Sequence, residues 1–124
     1  KSENLRSIVI KVGLSFEVGL AGSKLSPAQR QKLSMARALL RRPDILILNE
    51  TTSALDPNSQ RKVMSNVLSE TTGKTLIWVL QRASLAENFD RVIVISGGQV
   101  AETGSFSDLI KKEDSSLNNL LKDE

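Results

Sequence analysis

The sequence predicts an α/β fold, a parallel sheet with flanking helices. Short apolar runs rich in branched side chains occur at 45–48, 76–80 and 92–95. Runs of this length that are apolar throughout are typical of strands buried on both faces of a parallel sheet. Stretches with helix-like apolar spacing alternate with these runs, which is the pattern of an α/β sheet.

The composition is that of a globular chain and excludes several kinds of chemistry. The 124 residues suit one domain or part of one, and 40% of them are apolar, so we expect a packed core. The chain has no Cys and no His. It therefore cannot form thiol nucleophiles, disulfides, Cys/His zinc sites or a Ser-His-Asp triad by itself. The formal net charge of +3 is too small to indicate nucleic acid as a partner.

Neither a membrane span nor a secretory signal is visible in the sequence. No apolar run approaches the ~20 residues that a membrane-spanning helix needs. The first residues lack an initiating Met and the apolar core of a signal peptide. We therefore expect the chain to be the middle of a longer protein.

The first helix that the sequence marks clearly begins after Ser26. Apolar residues within 5–12 indicate a short helix before it, followed by a loop that contains Gly13, Gly19 and Gly22. Ser26, Pro27 and Gln29 then supply an N-cap hydroxyl, a proline at the first helical position and the glutamine of a capping box. We expect this helix to run to Pro43.

The remaining elements follow from caps, apolar runs and turn residues. Asp56-Pro57 repeats the cap-then-proline signal, and the helix after it should stop near Gly73. Gly97-Gly98 should turn the predicted strand at 91–95 into an antiparallel strand at 99–102. A helix at 106–111 and a polar tail at 112–124, with frayed ends, complete the expectation.

Polar residues at the carboxyl ends of the predicted strands are the first candidates for a site, because ligands of open α/β sheets bind there. Asn49 and Glu50 end the first strand, and Gln81 follows the second. A carboxylate directly after a buried strand is costly to desolvate without a partner. Two interpretations of Glu50 stay open: it orders a water molecule or cation, or it caps a loop or pairs with an arginine.

Four segments in this order and spacing resemble the nucleotide-binding domain of an ABC transporter. They are LSPAQRQKL at 25–33, ARAL at 36–39, PDILILNE at 43–50 and SALD at 53–56. Further matches at 81–82, 90–92, 97–100 and 102–104 extend the resemblance over nearly all of the chain beyond the first dozen residues.

The resemblance implies a P-loop NTPase-like parallel sheet that is incomplete, because no GxxxxGK[ST] phosphate loop (Walker A) occurs in the chain. It assigns 1–43 to part of a helical subdomain with the signature helix, 44–111 to part of the ATPase core and 112–124 to the tail. The strand at 91–95 then lacks its usual neighbour. We expect the isolated chain to expose strand edges and apolar surface, which favours association or a swapped arrangement.

By this resemblance the signature motif faces the terminal phosphate of ATP bound to the opposite subunit. Ser26, Pro27, Ala28 and Gln29 occupy it. A serine hydroxyl at a helix N-terminus suits an anion. Pro27 and Ala28 stand where the family usually has two glycines, and Pro27 has no N–H to donate.

The resemblance also implies the metal and water-activating positions. Asn49 stands where an acidic residue holds Mg²⁺, and Glu50 where a carboxylate polarises the attacking water. Gln81 replaces the histidine that contacts the terminal phosphate. Ser53, Ala54, Leu55 and Asp56 match the D-loop, which communicates across the dimer. These departures predict weak ATP hydrolysis, and none by this chain alone.

The partners implied are a second nucleotide-binding domain, in a homodimer or heterodimer, and a transmembrane domain. The site would lie at the cytoplasmic face of a membrane, in a transporter of the exporter type, and we do not expect nucleic acid as a partner. Two alternatives stay open. One is a soluble ABC-type ATPase of DNA repair, chromosome maintenance or translation. The other is a non-catalytic interaction module in which Arg37, Arg41 and Arg42 bind acidic partners.

Overall fold

A computed structural model describes residues 15–124, which form two compact units that divide between Val79 and Leu80. The helix expected within 5–12 lies outside the described residues. The division of the chain at 43/44 and 111/112 stays a prediction. No described helix is both long and apolar enough to cross a bilayer.

The first unit contains two helices and two strands in alternation. After a 3₁₀ turn at Leu20–Gly22 come four elements, which are α1 (Pro27–Leu40), β1 (Ile45–Asn49), α2 (Pro57–Glu70) and β2 (Thr75–Val79). These bounds confirm the expected order of elements. Each helix begins with a proline after a capping side chain, as the sequence predicts.

β1 and β2 pair in parallel, with Leu46 opposite Leu76 and Ile47 opposite Ile77. The expectation that the first strand is buried on both faces is wrong for this chain. Leu46 and Leu48 are 6% and 4% exposed, whereas Ile45 and Ile47 are 61% and 65% exposed. Side chains alternate between the faces of a strand, so one face of this sheet packs inward and the other faces outward.

The outward face of the β1–β2 sheet is apolar. Ile77 and Val79 of β2 are exposed and lie opposite Ile47 and Asn49 in the parallel register. The expected exposure of apolar surface is therefore confirmed. A contiguous apolar face of this kind normally packs against another segment.

The second unit is built around an antiparallel hairpin. β3 (Val92–Ser96) pairs with β4 (Gln99–Gly104), and the described strands form two separate two-stranded sheets. Gly97 and Gly98 both have positive φ, 57° and 76°, which a two-residue hairpin turn with the right twist requires. The hairpin expected at 91–102 is thus confirmed.

The C-terminal segment differs from the expected polar tail. The helix predicted at 106–111 is a single turn, α3 (Phe106–Leu109), and a second helix, α4 (Ser116–Lys122), follows it. Leu117 of α4 is 1% exposed and belongs to the core of this unit. That core also includes Ala86, Val92, Val94 and Leu109. The sequence prediction failed because a helix of seven residues shows too little apolar periodicity.

Ser115 and Glu102 fix the start of α4. The buried Ser115 hydroxyl accepts the backbone N–H of Leu117 at 3.1 Å and donates to a carboxylate oxygen of Glu102 at 2.9 Å. Leu117 N–H also donates to Glu102, at 3.2 Å. Burial raises the pKa of Glu102, but these hydrogen bonds to the charged form outweigh it and hold the pKa below its ordinary value.

The outward apolar face predicts self-association of the isolated chain. Ile47→Lys places a charge in its centre and should lower the association constant, because burying an unpaired ammonium is costly. Sedimentation over a range of concentrations measures this. Ile110→Lys is the matched control, since Ile110 is exposed but lies outside the sheet. A wild-type chain that stays monomeric at high concentration would contradict the prediction.

The hydrogen bonds at Glu102 predict a titration below the ordinary glutamate range. Ser115→Ala removes a donor to the carboxylate and should raise the pKa of Glu102, as followed by the NMR shift of its carboxyl carbon against pH. Because the folded-state pKa is depressed, the stabilisation is complete above the unfolded pKa and is lost as pH falls through the folded pKa. Ser107→Ala is the control. Equal midpoints in wild type and Ser115→Ala would refute the assignment.

Candidate functional site

The start of α1 has the capping geometry that the sequence predicts. Ser26 Oγ accepts the backbone N–H of Gln29 at 3.2 Å, and Gln29 Oε1 accepts the backbone N–H of Ser26 at 2.9 Å. This reciprocal pair is a complete capping box. Because the Ser26 oxygen accepts in the cap, its own O–H stays able to donate to a ligand.

The same geometry limits what the helix start can offer an anion. Of the first three helical residues, Pro27 has no N–H, and the N–H of Gln29 is used by the cap. That leaves the N–H of Ala28, a residue that lines the adjacent groove. The site retains one hydroxyl and one backbone donor, fewer than a glycine-containing loop would present.

The loop between β1 and α2, residues 53–56, is the predicted D-loop. Ser53 N–H donates to the Glu50 carbonyl at 3.2 Å, and Leu55 N–H donates to the Thr52 carbonyl at 3.0 Å. The Leu55 side chain is buried. The loop is therefore anchored by one apolar side chain and by its own backbone hydrogen bonds.

Asp56 ends this loop as the N-cap of α2. Its carboxylate accepts the backbone N–H groups of Asn58 and Ser59 at 3.1 Å and 3.0 Å. Hydrogen bonds from the Ser59 hydroxyl and backbone, and from Asn58, hold the pKa of Asp56 below its ordinary value. A carboxylate engaged in this way has a structural role that is sufficient to explain its presence.

The start of α1 and the D-loop line one groove of about 230 Å³. It brings together six of the residues predicted from the sequence, Ser26, Ala28, Gln29, Ala54, Leu55 and Asp56. The groove also includes Lys32 and Ser59, which the sequence analysis did not single out. Lys32 follows the signature residues by one helical turn, and that spacing was the signal available for it.

Gln31 connects the two sides of this groove, and sequence reasoning missed it. Gln31 Nε2 donates to Ser53 Oγ at 3.0 Å, and Ala54 N–H donates to Gln31 Oε1 at 3.1 Å. One side-chain amide therefore joins α1 to the D-loop across 22 and 23 residues of sequence. No sequence pattern indicates this pairing, because Gln31 and Ser53 are ordinary polar residues.

Asn49 and Glu50 lie exposed at the carboxyl end of β1, beside the end of β2. Glu50 N–H donates to the Val79 carbonyl at 3.1 Å. Glu50 has a φ of 48°, the left-handed region that side chains other than glycine seldom adopt. Such strain is concentrated at functional sites, where surrounding contacts hold the residue in place.

Gln81 is exposed and belongs to the second unit, just after β2. Its meeting with Glu50 at one site stays a prediction. Among residues 15–124 no group of three or more His, Cys, Asp or Glu side chains is placed to hold a metal. Mg²⁺ binding at Asn49 and Glu50 stays a prediction. An amide oxygen and a carboxylate are ligand types that suit a Mg²⁺ which takes most of its ligands from water and substrate phosphates.

Comparisons with known proteins agree with this geometry. The family model described as "ABC transporter" matches residues 1–53. An ATP-dependent lipid A-core flippase of Cupriavidus metallidurans is 46% identical over 100 residues, which are 81% of this chain and 17% of the flippase. An ATP-dependent permease MDL1 of Candida albicans is 46% identical over 114 residues, or 89% of this chain and 17% of the permease.

A solved structure of a bacterial Atm1-family ABC exporter with ATP bound matches with a TM-score of 0.85 and 30% identity. The match covers 96% of this chain and 21% of the exporter chain. The chain thus spans about a fifth or less of each of these relatives. Their agreement over most of its length shows that the chain belongs to the ABC transporter family, as part of a nucleotide-binding domain.

Proposed function

We propose that this chain forms the signature-bearing part of an exporter-type nucleotide-binding domain that couples ATP binding to transport and hydrolyses ATP weakly. The groove between the start of α1 and the D-loop carries the proposal. Domains of this family bind ATP with Mg²⁺. In this groove a terminal phosphate would meet the Ser26 hydroxyl and the Ala28 N–H, with the positive end of the α1 dipole behind them.

The partner of the groove is a second nucleotide-binding domain, whose bound ATP supplies that phosphate. The approach of the two nucleotide-binding domains on ATP binding would move a transmembrane domain. The site would face the cytoplasm at the membrane surface. The names of the relatives, a flippase, a permease and an exporter, support a transporter over a soluble ATPase of DNA repair or translation.

Glu50 would act as the general base for hydrolysis of the ATP that is bound to this chain's own domain. Its carboxylate would accept a proton from water as the water oxygen attacks the terminal phosphorus and ADP leaves. Mg²⁺, when bound, neutralises phosphate charge in the transition state. Asn49 offers it a neutral oxygen in place of a carboxylate, which weakens the attraction.

Weak hydrolysis follows from the groups that the chain lacks. Gln81 donates a hydrogen bond but carries no positive charge, and Pro27 offers no N–H. Loss of one well-placed electrostatic group commonly lowers a rate by ~10²–10³. The departures at Pro27 and Ala28 act on the partner's ATP, whereas those at Asn49 and Gln81 act on the chain's own.

The proposal predicts that restoring these groups restores turnover. In the full-length transporter that contains this segment, wild type should bind ATP and release phosphate slowly. Combining Pro27→Gly, Ala28→Gly, Asn49→Asp and Gln81→His should raise kcat by ~10² or more. The changes at 27, 49 and 81 return a donor or a charge to the transition state, and Ala28→Gly removes a methyl group that hinders close approach of the backbone to the phosphate. Phosphate release under saturating MgATP measures this.

Glu50→Gln in the restored background is the control, and it should abolish the gain by removing the proton acceptor. Rapid phosphate release by the unaltered protein would contradict weak hydrolysis. Absence of ATP binding by the full-length protein would contradict the proposed function as a whole.

A further inference from the structure

The amide of Gln31 makes two hydrogen bonds to successive residues of the D-loop. Its nitrogen donates to the Ser53 hydroxyl at 3.0 Å, and its oxygen accepts the Ala54 N–H at 3.1 Å. A primary amide can donate and accept in one plane at once. Gln31 is half-buried in the second turn of α1, so its position follows that of the helix start.

The D-loop is also fixed from the other side. The buried Gln60 of α2 donates through Nε2 to the Thr52 carbonyl at 2.8 Å, and the Leu55 side chain is buried. The Gln60 bond ties the residue just before the loop to α2. Gln31 adds the connection to α1.

We infer that Gln31 is a positioning residue that keeps the Ser26 hydroxyl and the D-loop at a fixed spacing, so that phosphate capture and D-loop position depend on each other. This inference rests on the proposed function. Gln31 does not line the groove and acts through Ser53 and Ala54. If a phosphate binds at the start of α1 and shifts the helix, the two hydrogen bonds of Gln31 would transmit this shift to the D-loop.

Three variants separate this role from general stability. Gln31→Met keeps the side-chain length and removes both hydrogen bonds. Gln31→Glu keeps them, because one carboxylate oxygen accepts the Ala54 N–H and the other accepts the Ser53 hydroxyl proton. Arg37→Met is the matched control, since it replaces another long polar side chain on an exposed position of α1.

Amide exchange of Ala54, measured by NMR on this chain, tests the contact itself. We expect exchange to be about fivefold to tenfold faster in Gln31→Met, which is the effect of losing one net hydrogen bond. Gln31→Glu and Arg37→Met should match wild type. Unchanged exchange in Gln31→Met would overturn the inference.

ATP-driven closure of the paired domains, followed by energy transfer in the full-length transporter, tests the coupling. Gln31→Met should raise the half-saturating ATP concentration about tenfold, and Gln31→Glu should restore it. Ser53→Ala should add nothing to Gln31→Met, because Gln31→Met already removes the hydrogen bond to the Ser53 hydroxyl. Additive effects, or closure of Gln31→Met at the wild-type ATP concentration, would overturn the inference.

The two experiments also separate failure of the inference from failure of the proposed function. A wild-type transporter that does not close with ATP would refute the proposed function, and the Ala54 exchange rates would still decide the contact. If wild type closes with ATP and Gln31→Met closes at the same ATP concentration, the inference alone is refuted and the proposed function stands.

Discussion

The two hydrogen bonds of Gln31 to the D-loop set the spacing on which the candidate site depends. They join α1 to the loop that follows β1, and the groove lies between these two parts of the first unit. The helix starts on both sides are fixed by their own caps, Ser26 with Gln29 and Asp56 with Asn58 and Ser59. The groove is therefore formed by elements that are each locally specified and joined by one side chain.

The groove is structurally well defined, but it offers a phosphate few hydrogen-bond donors. Pro27 suits the first turn of a helix and strengthens the cap, since its fixed φ is already helical. The same residue removes a backbone donor from the site. For Glu50 the effects on folding and on the site are reversed. Its left-handed backbone is unfavourable for folding, but it turns the chain at the end of β1 and so places the carboxylate in the candidate site. A phosphate-binding surface with a slow reaction is the expected result.

Local signals in the sequence predicted most of the elements and six of the eight residues that line the groove. Cap-then-proline pairs located both long helices, and the adjacent glycines located the hairpin. The sequence failed where contacts between distant residues decide. The bridge from Gln31 to Ser53 pairs polar residues without a distinctive pattern. Ser115, Glu102 and the buried Leu117 hold α4, and Leu121 also packs against the core. The exposed face of β1 depends on which segments lie beside it, and apolar composition alone does not report that.

The central claim is that the groove faces the terminal phosphate of ATP held by an opposite domain. An ATP analogue with a photoreactive group on its terminal phosphate tests this most directly in the full-length transporter, with the labelled residues mapped by mass spectrometry. The account predicts labelling within 26–29 and 53–56 that excess ATP suppresses. Labelling elsewhere, with none in these two segments, would contradict it.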